Sequence, residues 1–180
     1  MRFARAGAMT RASTICAAAA LLLALAGCGR SAPAAGQPRP TPSGLPVPRY
    51  VSLKFDEVNA RGGPGDDYKL LWVYRARGLP VQVTEETRDW RRVCDPTGGL
   101  AWVKATGVDG RRTAMPLAAA PQPLLEKPQA GARVAAILAA RATAALDRCK
   151  DGWCRLKAPG GSGWALQSAL WGVDDRLQCH

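Results

Sequence analysis

The sequence is nearly without histidine: the single copy is the terminal His180. A cysteine nucleophile therefore has no imidazole to act as its base, and the C-x2-C spacing of a zinc site is absent as well. No phosphate-binding loop or dinucleotide fingerprint occurs. Asp66-Asp67, Glu85-Glu86 and Asp174-Asp175 are adjacent carboxylates. Neighbours on a strand point to opposite faces, so they do not make an acid–base pair. No long basic run exists, the only adjacent pairs being Arg91-Arg92 and Arg111-Arg112. A nucleic-acid protein concentrates its charge on one face, so that class is set aside. These absences predict a chain that is not an enzyme and needs no cofactor and no metal.

What is present begins at the N-terminus. Arg2, Arg5 and Arg11 precede a short apolar stretch at residues 15–25 (ICAAAALLLAL), followed by small residues. This is the pattern of a secretory signal peptide, and the run is shorter than the roughly 20 residues that span a bilayer. The stretch ends in Leu25-Ala26-Gly27-Cys28, which resembles a bacterial lipobox. The resemblance implies a lipid on Cys28, cleavage before it, and attachment to a membrane through that lipid. Gly29, in place of Asp, weakly favours the outer membrane by the same resemblance. Removing the three leader arginines leaves 22 basic and 14 acidic side chains, a charge of +8. Dispersed positive charge outside the cytoplasm suits anionic partners such as wall polymers or lipid heads, and it also serves plain solubility.

Six cysteines are present. Cys16 leaves with the leader and Cys28 carries lipid. Cys94, Cys149, Cys154 and Cys179 remain in an oxidising compartment, where an even number argues for disulfides. Three connectivities are open. Cys149 and Cys154 flank Lys150-Asp151-Gly152-Trp153, and Asp-Gly is a strong hairpin signal. A bond across that turn leaves Cys94 to pair with Cys179.

Residues 29–48 are rich in Pro, Ala, Gly and Ser and read as a flexible tether. A second proline-rich stretch, residues 114–130, reads as a linker between domains. Between these breaks, short alternating or apolar runs are bounded by turn residues: RYVSLK at 49–54, LLWVY at 70–74, AWVK at 101–104. Five or six such strands in about sixty residues favour a closed barrel over a flat sheet. The pattern then repeats. Trp90 and Trp102 are 12 residues apart, Trp153 and Trp164 are 11 apart, and the pairs are offset by 63 and 62 residues. Residues 79–83 match 142–146 at the same offset. Alanine-rich residues 132–146 favour helix by propensity, but the repeat places strands there, and we follow the repeat. Trp102 and Trp164, between small or apolar neighbours, are expected in the core. Trp90 and Trp153 directly follow turns, a place open to either face.

Val58-Asn59-Ala60-Arg61-Gly62-Gly63-Pro64-Gly65, followed by the two Trp elements, resembles the start of bacterial SH3 domains, the extracytoplasmic SH3-like modules. The second copy lacks this V-N-x-R-x-G-P start. The resemblance implies an all-β chain with two small SH3-like β-barrels in tandem. The expected layout is a lipoprotein signal peptide at 1–27, a tether at 28–48, a first domain at 49–113, a linker at 114–130, a degenerate second domain at 131–173 and a tail at 174–180. It further implies a non-catalytic cell-envelope binding module, holding peptidoglycan or another cell-wall component. The alternative is an adaptor or inhibitor for an envelope enzyme or signalling partner. Ligand grooves in SH3-like barrels are lined by aromatics, which singles out Tyr50, Tyr68, Tyr74 and Trp90. Arg91 and Arg92, like Arg111 and Arg112, are candidates for carboxylate or phosphate contact. The expected location is the cell envelope, facing the periplasm or the exterior.

Overall fold

The computed structural model describes residues 41–174 and 176–179. The leader, Cys28 and the tether up to residue 40 lie outside the described residues. Those described contain fourteen strands, two single turns of 3-10 helix and no α-helix. Strands β1 (Arg49–Leu53), β2 (Val58–Arg61), β3 (Leu70–Tyr74), β4 (Pro80–Glu86), β5 (Trp90–Cys94), β6 (Leu100–Lys104) and β7 (Val108–Asp109) form the first sheet. Its order is β3-β2-β6-β5-β4-β1-β7. Strands β8 (Thr113–Pro116), β9 (Gln122–Leu125), β10 (Val134–Leu138), β11 (Ala144–Lys150), β12 (Trp153–Ala158), β13 (Gly161–Leu166) and β14 (Leu170–Trp171) form the second, in the order β10-β9-β13-β12-β11-β8-β14. Each strand of the second sheet stands where its counterpart seven places earlier stands in the first. These are the two tandem SH3-like barrels.

The repeat extends to irregularities. A bulge falls between Val83 and Glu85 in β4 and between Leu146 and Arg148 in β11. Arg61 and Arg92 oppose Trp102, just as Leu125 and Arg155 oppose Trp164. The alanine-rich segment forms β10 and the start of β11, with Leu138 and Ala144 buried in the second core. Small side chains suit so narrow a barrel, and tertiary packing overrides helix propensity there.

Two expectations need correction. Residues 114–130 are no linker, since they carry most of β8 and all of β9, the first two strands of the second barrel. The prolines that suggested a break are accommodated: Pro116 ends β8, and Pro123 lies where β9 pairs only with β10, because β13 meets β9 at Leu125 alone. The second correction concerns the tryptophans. In β6 the period of two sends Ala101 and Val103 inward and turns Trp102 outward, half-buried; Gly163 and Ala165 do the same to Trp164. Trp90 is the buried one, 8% exposed, and Trp153 is half-buried.

The first core is built from Val51, Leu53, Val58, Val81, Val83, Val93 and Val103, the second from Leu124, Leu138, Leu156 and Leu170 with small residues between. A third cluster joins them: Tyr50, Cys94, Met115, Trp171 and Cys179. Strand β4 explains this seam. Val81 and Val83 face their own core, yet Pro80 and Gln82 on the opposite face are equally buried. Pro80 O accepts the Trp171 indole N–H at 2.7 Å. Gln82 donates to Arg176 O at 2.7 Å and accepts from the Gln178 amide at 2.9 Å. The stretch at 176–179 is therefore strapped across the first barrel and ends in the Cys94–Cys179 disulfide.

The Cys149–Cys154 disulfide lies across directly opposed strand residues. The turn beyond it places Asp151 at φ 51° and Gly152 at φ 78°, the two left-handed positions of a two-residue hairpin loop.

The segment leading into β1 is held by one carboxylate. Glu86 accepts from the Ser43 amide at 2.9 Å and from the Ser43 hydroxyl, and it pairs with Arg49 and with Arg91 Nε at 3.1 Å. Burial pushes its pKa up, but the hydrogen bonds from Ser43 and Arg49 win and bring it from 4.5 down to about 2. Because the folded pKa is depressed, the stabilisation is present above the unfolded value and is lost as pH falls through the folded one. A Glu86→Gln variant should be about 2–3 kcal/mol less stable than wild type at pH 7. The difference should shrink from pH 4.5 downward and close near pH 2. Urea titrations of both proteins from pH 7 to pH 2 check this; a gap that stays constant with pH refutes it.

Candidate functional site

Alternation along β3 puts Trp72 and Tyr74 on one face, where their rings meet edge to face at 5.8 Å. They form one wall of a groove of about 680 Å3 at the seam between the barrels. Leu79 and the loop 95–99 complete the first barrel's side. Met115, Leu117 and the two residues after it come from the start of the second barrel, and Arg141 from its β10–β11 turn. Apolar atoms dominate this surface, with Leu117 exposed at 54%.

The groove's one carboxylate is already engaged. Asp95 Oδ1 accepts from the Thr97 amide at 2.8 Å, the Thr97 hydroxyl at 2.6 Å and the Gly99 amide at 3.0 Å. Its Oδ2 accepts the Tyr74 hydroxyl at 3.1 Å. Burial, and then the Asp95 charge, push the Tyr74 phenol well above its ordinary value, so it stays protonated and donating. A side chain on Gly99 would collide with Asp95 Oδ2, so the loop closes around the carboxylate only with glycine there. Asp95 thus holds the loop that forms this side of the groove. Among the described residues, no three metal-ligating side chains converge.

Of the residues singled out by the sequence, Tyr74 lies in this groove. Tyr50 does not: it is 5% exposed inside the seam, edge-on to Trp171 at 5.3 Å with the Arg112 guanidinium 5.8 Å from its ring. Tyr68 is exposed elsewhere, and its ring rests on the Gly63 and Gly65 backbone, where a Cβ would strike it. Arg61 closes the same loop by donating to Tyr68 O at 2.9 Å. The V-N-x-R-x-G-P start is therefore a self-clamped loop. Trp90 lines a smaller cavity of about 240 Å3 with Asn59, Arg61, Asp66 and Lys104. Lys104 spans it, 2.7 Å from Asp66 and 5.7 Å from the Trp90 ring. Arg91 and Arg92 are paired with Glu86 and Glu85. Arg111 is paired with Asp109, and Arg112 donates to Gly172 O. Trp72, Asp95, Leu117 and Arg141 were not singled out by the sequence. Only Arg141 had a readable signal, its place in the repeat.

Two SH3-like barrels with a groove at their seam make this a tandem SH3-like protein. The bacterial SH3 domain model matches residues 54–110 and 118–172, and the chain belongs to that family. Both matches begin after the first strand of their barrel. No match to the chain was found among the curated proteins. Two solved structures from Trichomonas vaginalis are similar over part of it. NlpC1 shares 15% identity at a TM-score of 0.32, covering 69% of this chain and 45% of that one. NlpC2 shares 14% at 0.33, covering 69% and 48%. The chain spans about half the length of either. Bacterial SH3 domains and two disulfides are consistent with an extracytoplasmic location.

Proposed function

We propose that the protein is a non-catalytic cell-envelope module that holds a cell-wall component in the seam groove, with the lipid on Cys28 as its membrane anchor. The observation that carries this is the groove itself: apolar and aromatic, preformed by two barrels, with its carboxylate spent on its own loop. A surface of that kind binds by stacking and shape. The family supports an envelope role, and the charge of +8 after the leader suits an anionic wall.

Purified protein-free sacculi should retain the full chain in mild detergent. Leu117→Asp puts a charge into the groove at a side chain too exposed to matter for folding, and should lower retention about tenfold or more. Tyr68→Ala, outside the groove, should leave retention unchanged. If sacculi do not retain the wild-type chain, the wall reading falls and the adaptor reading takes its place. If Tyr68→Ala abolishes retention while Leu117→Asp does not, the groove is the wrong site.

A further inference from the structure

The turns that follow β3 and β10 are the same turn in the two barrels. Leu79 N donates to Ala76 O at 3.1 Å, and Ala142 N donates to Ala139 O at 3.1 Å. The third residue of each takes a left-handed backbone. In the first barrel it is Gly78 at φ 80°; in the second, at the repeat offset, it is Arg141 at φ 59°. Glycine adopts that conformation without penalty, whereas an arginine Cβ is crowded there. The second barrel thus carries a long cationic side chain where the backbone favours glycine. A non-glycine residue held in this region points to a use for its side chain.

Arg141 lies among the residues lining the seam groove. Arg141 is the only cation among the groove's lining residues, and no described carboxylate lies within ion-pair reach of it. Most other cations of the two barrels are matched, as Arg91 is to Glu86, Arg133 to Glu126 and Arg176 to Asp174. A guanidinium presents paired N–H donors that fit a carboxylate. Tyr74 cannot compete for such a group, because its hydroxyl already donates to Asp95. We infer that Arg141 is the specificity-determining residue of the groove, and that it takes the free carboxylate of a wall peptide whose apolar body lies against Trp72, Tyr74 and Leu117. This deepens the binding reading above and rests on it.

The test uses sacculi in two forms, native and with carboxyl groups converted to amides by carbodiimide and ammonia. Wild-type full chain should be retained about tenfold better on the native form. Arg141→Gln, which keeps the same turn but drops the charge, should lose that preference. Lys69→Gln, an exposed cation outside the groove, should keep it. Arg141→Gly should also lose the preference while its melting temperature holds or rises, since the backbone is relieved. Retention of the wild type on both forms equally leaves the wall reading standing and overturns the carboxylate inference. An Arg141→Gln protein that still prefers native walls, or a Lys69→Gln protein that loses the preference equally, overturns it too. Retention on neither form overturns both.

Discussion

Replacing Cys94 and Cys179 together by alanine should lower the unfolding free energy by about 4–5 kcal/mol. The bond closes a stretch of 85 residues that includes the whole of the second barrel. Cross-linking two points so far apart removes much of the unfolded chain's freedom, and that gain goes with the bond. The cysteines also sit in the buried seam cluster with Tyr50, Met115 and Trp171, so their loss loosens packing as well. The paired control is Cys149→Ala with Cys154→Ala. It opens a loop of only 5 residues in a hairpin already set by its Asp-Gly turn, and should forfeit about 2 kcal/mol. Denaturant titrations of both double variants under non-reducing conditions measure the difference. Equal losses would mean that the long bond adds nothing beyond its local contacts.

Trp171→Ala is expected to be nearly as damaging, by about 3–5 kcal/mol. Trp171 belongs to the second barrel, is 6% exposed, stacks edge-on against Tyr50 of the first and donates to Pro80 O. Truncation leaves a cavity between the barrels and an unsatisfied carbonyl in it. Because the groove lies along the same seam, wall retention should fall together with stability. Trp102→Ala provides the contrast. Its half-buried ring lies outside the core clusters, so the loss there should be clearly smaller. Calorimetry on the two variants decides the order, and a larger loss for Trp102→Ala would contradict the assignment of faces.

The barrels were legible because their information is local or periodic. The Trp pairs at a constant offset, the Asp-Gly turn between Cys149 and Cys154, and the alternation in β6 and β13 each survive in one dimension. The repeat even outweighed the helix propensity of residues 132–146. The seam was not legible, since nothing in Pro80-Val81-Gln82-Val83 says which neighbour covers its second face. Tyr50 was singled out as an aromatic candidate for a ligand groove, yet it is buried against a tryptophan 121 residues later. Prolines at 116 and 123 read as a break because their tolerance depends on which strand edges lack a partner. The Trp faces were misread from neighbour size; register along the strand, set by Ala101 and Val103, decides them. Arg141 was hidden in an alanine-rich stretch and becomes meaningful only once the turn that holds Gly78 is laid over it.

The strap across the first barrel imposes an order of maturation. Cys94 is made with the first barrel, and its partner follows 85 residues later, beyond β14. A first barrel on its own has an unmatched thiol and a bare Gln82 where the strap should lie. The hairpin bond between Cys149 and Cys154 needs only its own two strands, whereas the long bond requires both barrels to have been completed and docked. Oxidation state at Cys94 is therefore a chemical record of finished assembly: molecules truncated or misdocked in the second half carry a free thiol at Cys94 that a thiol label can find, and finished ones have that thiol bonded to Cys179.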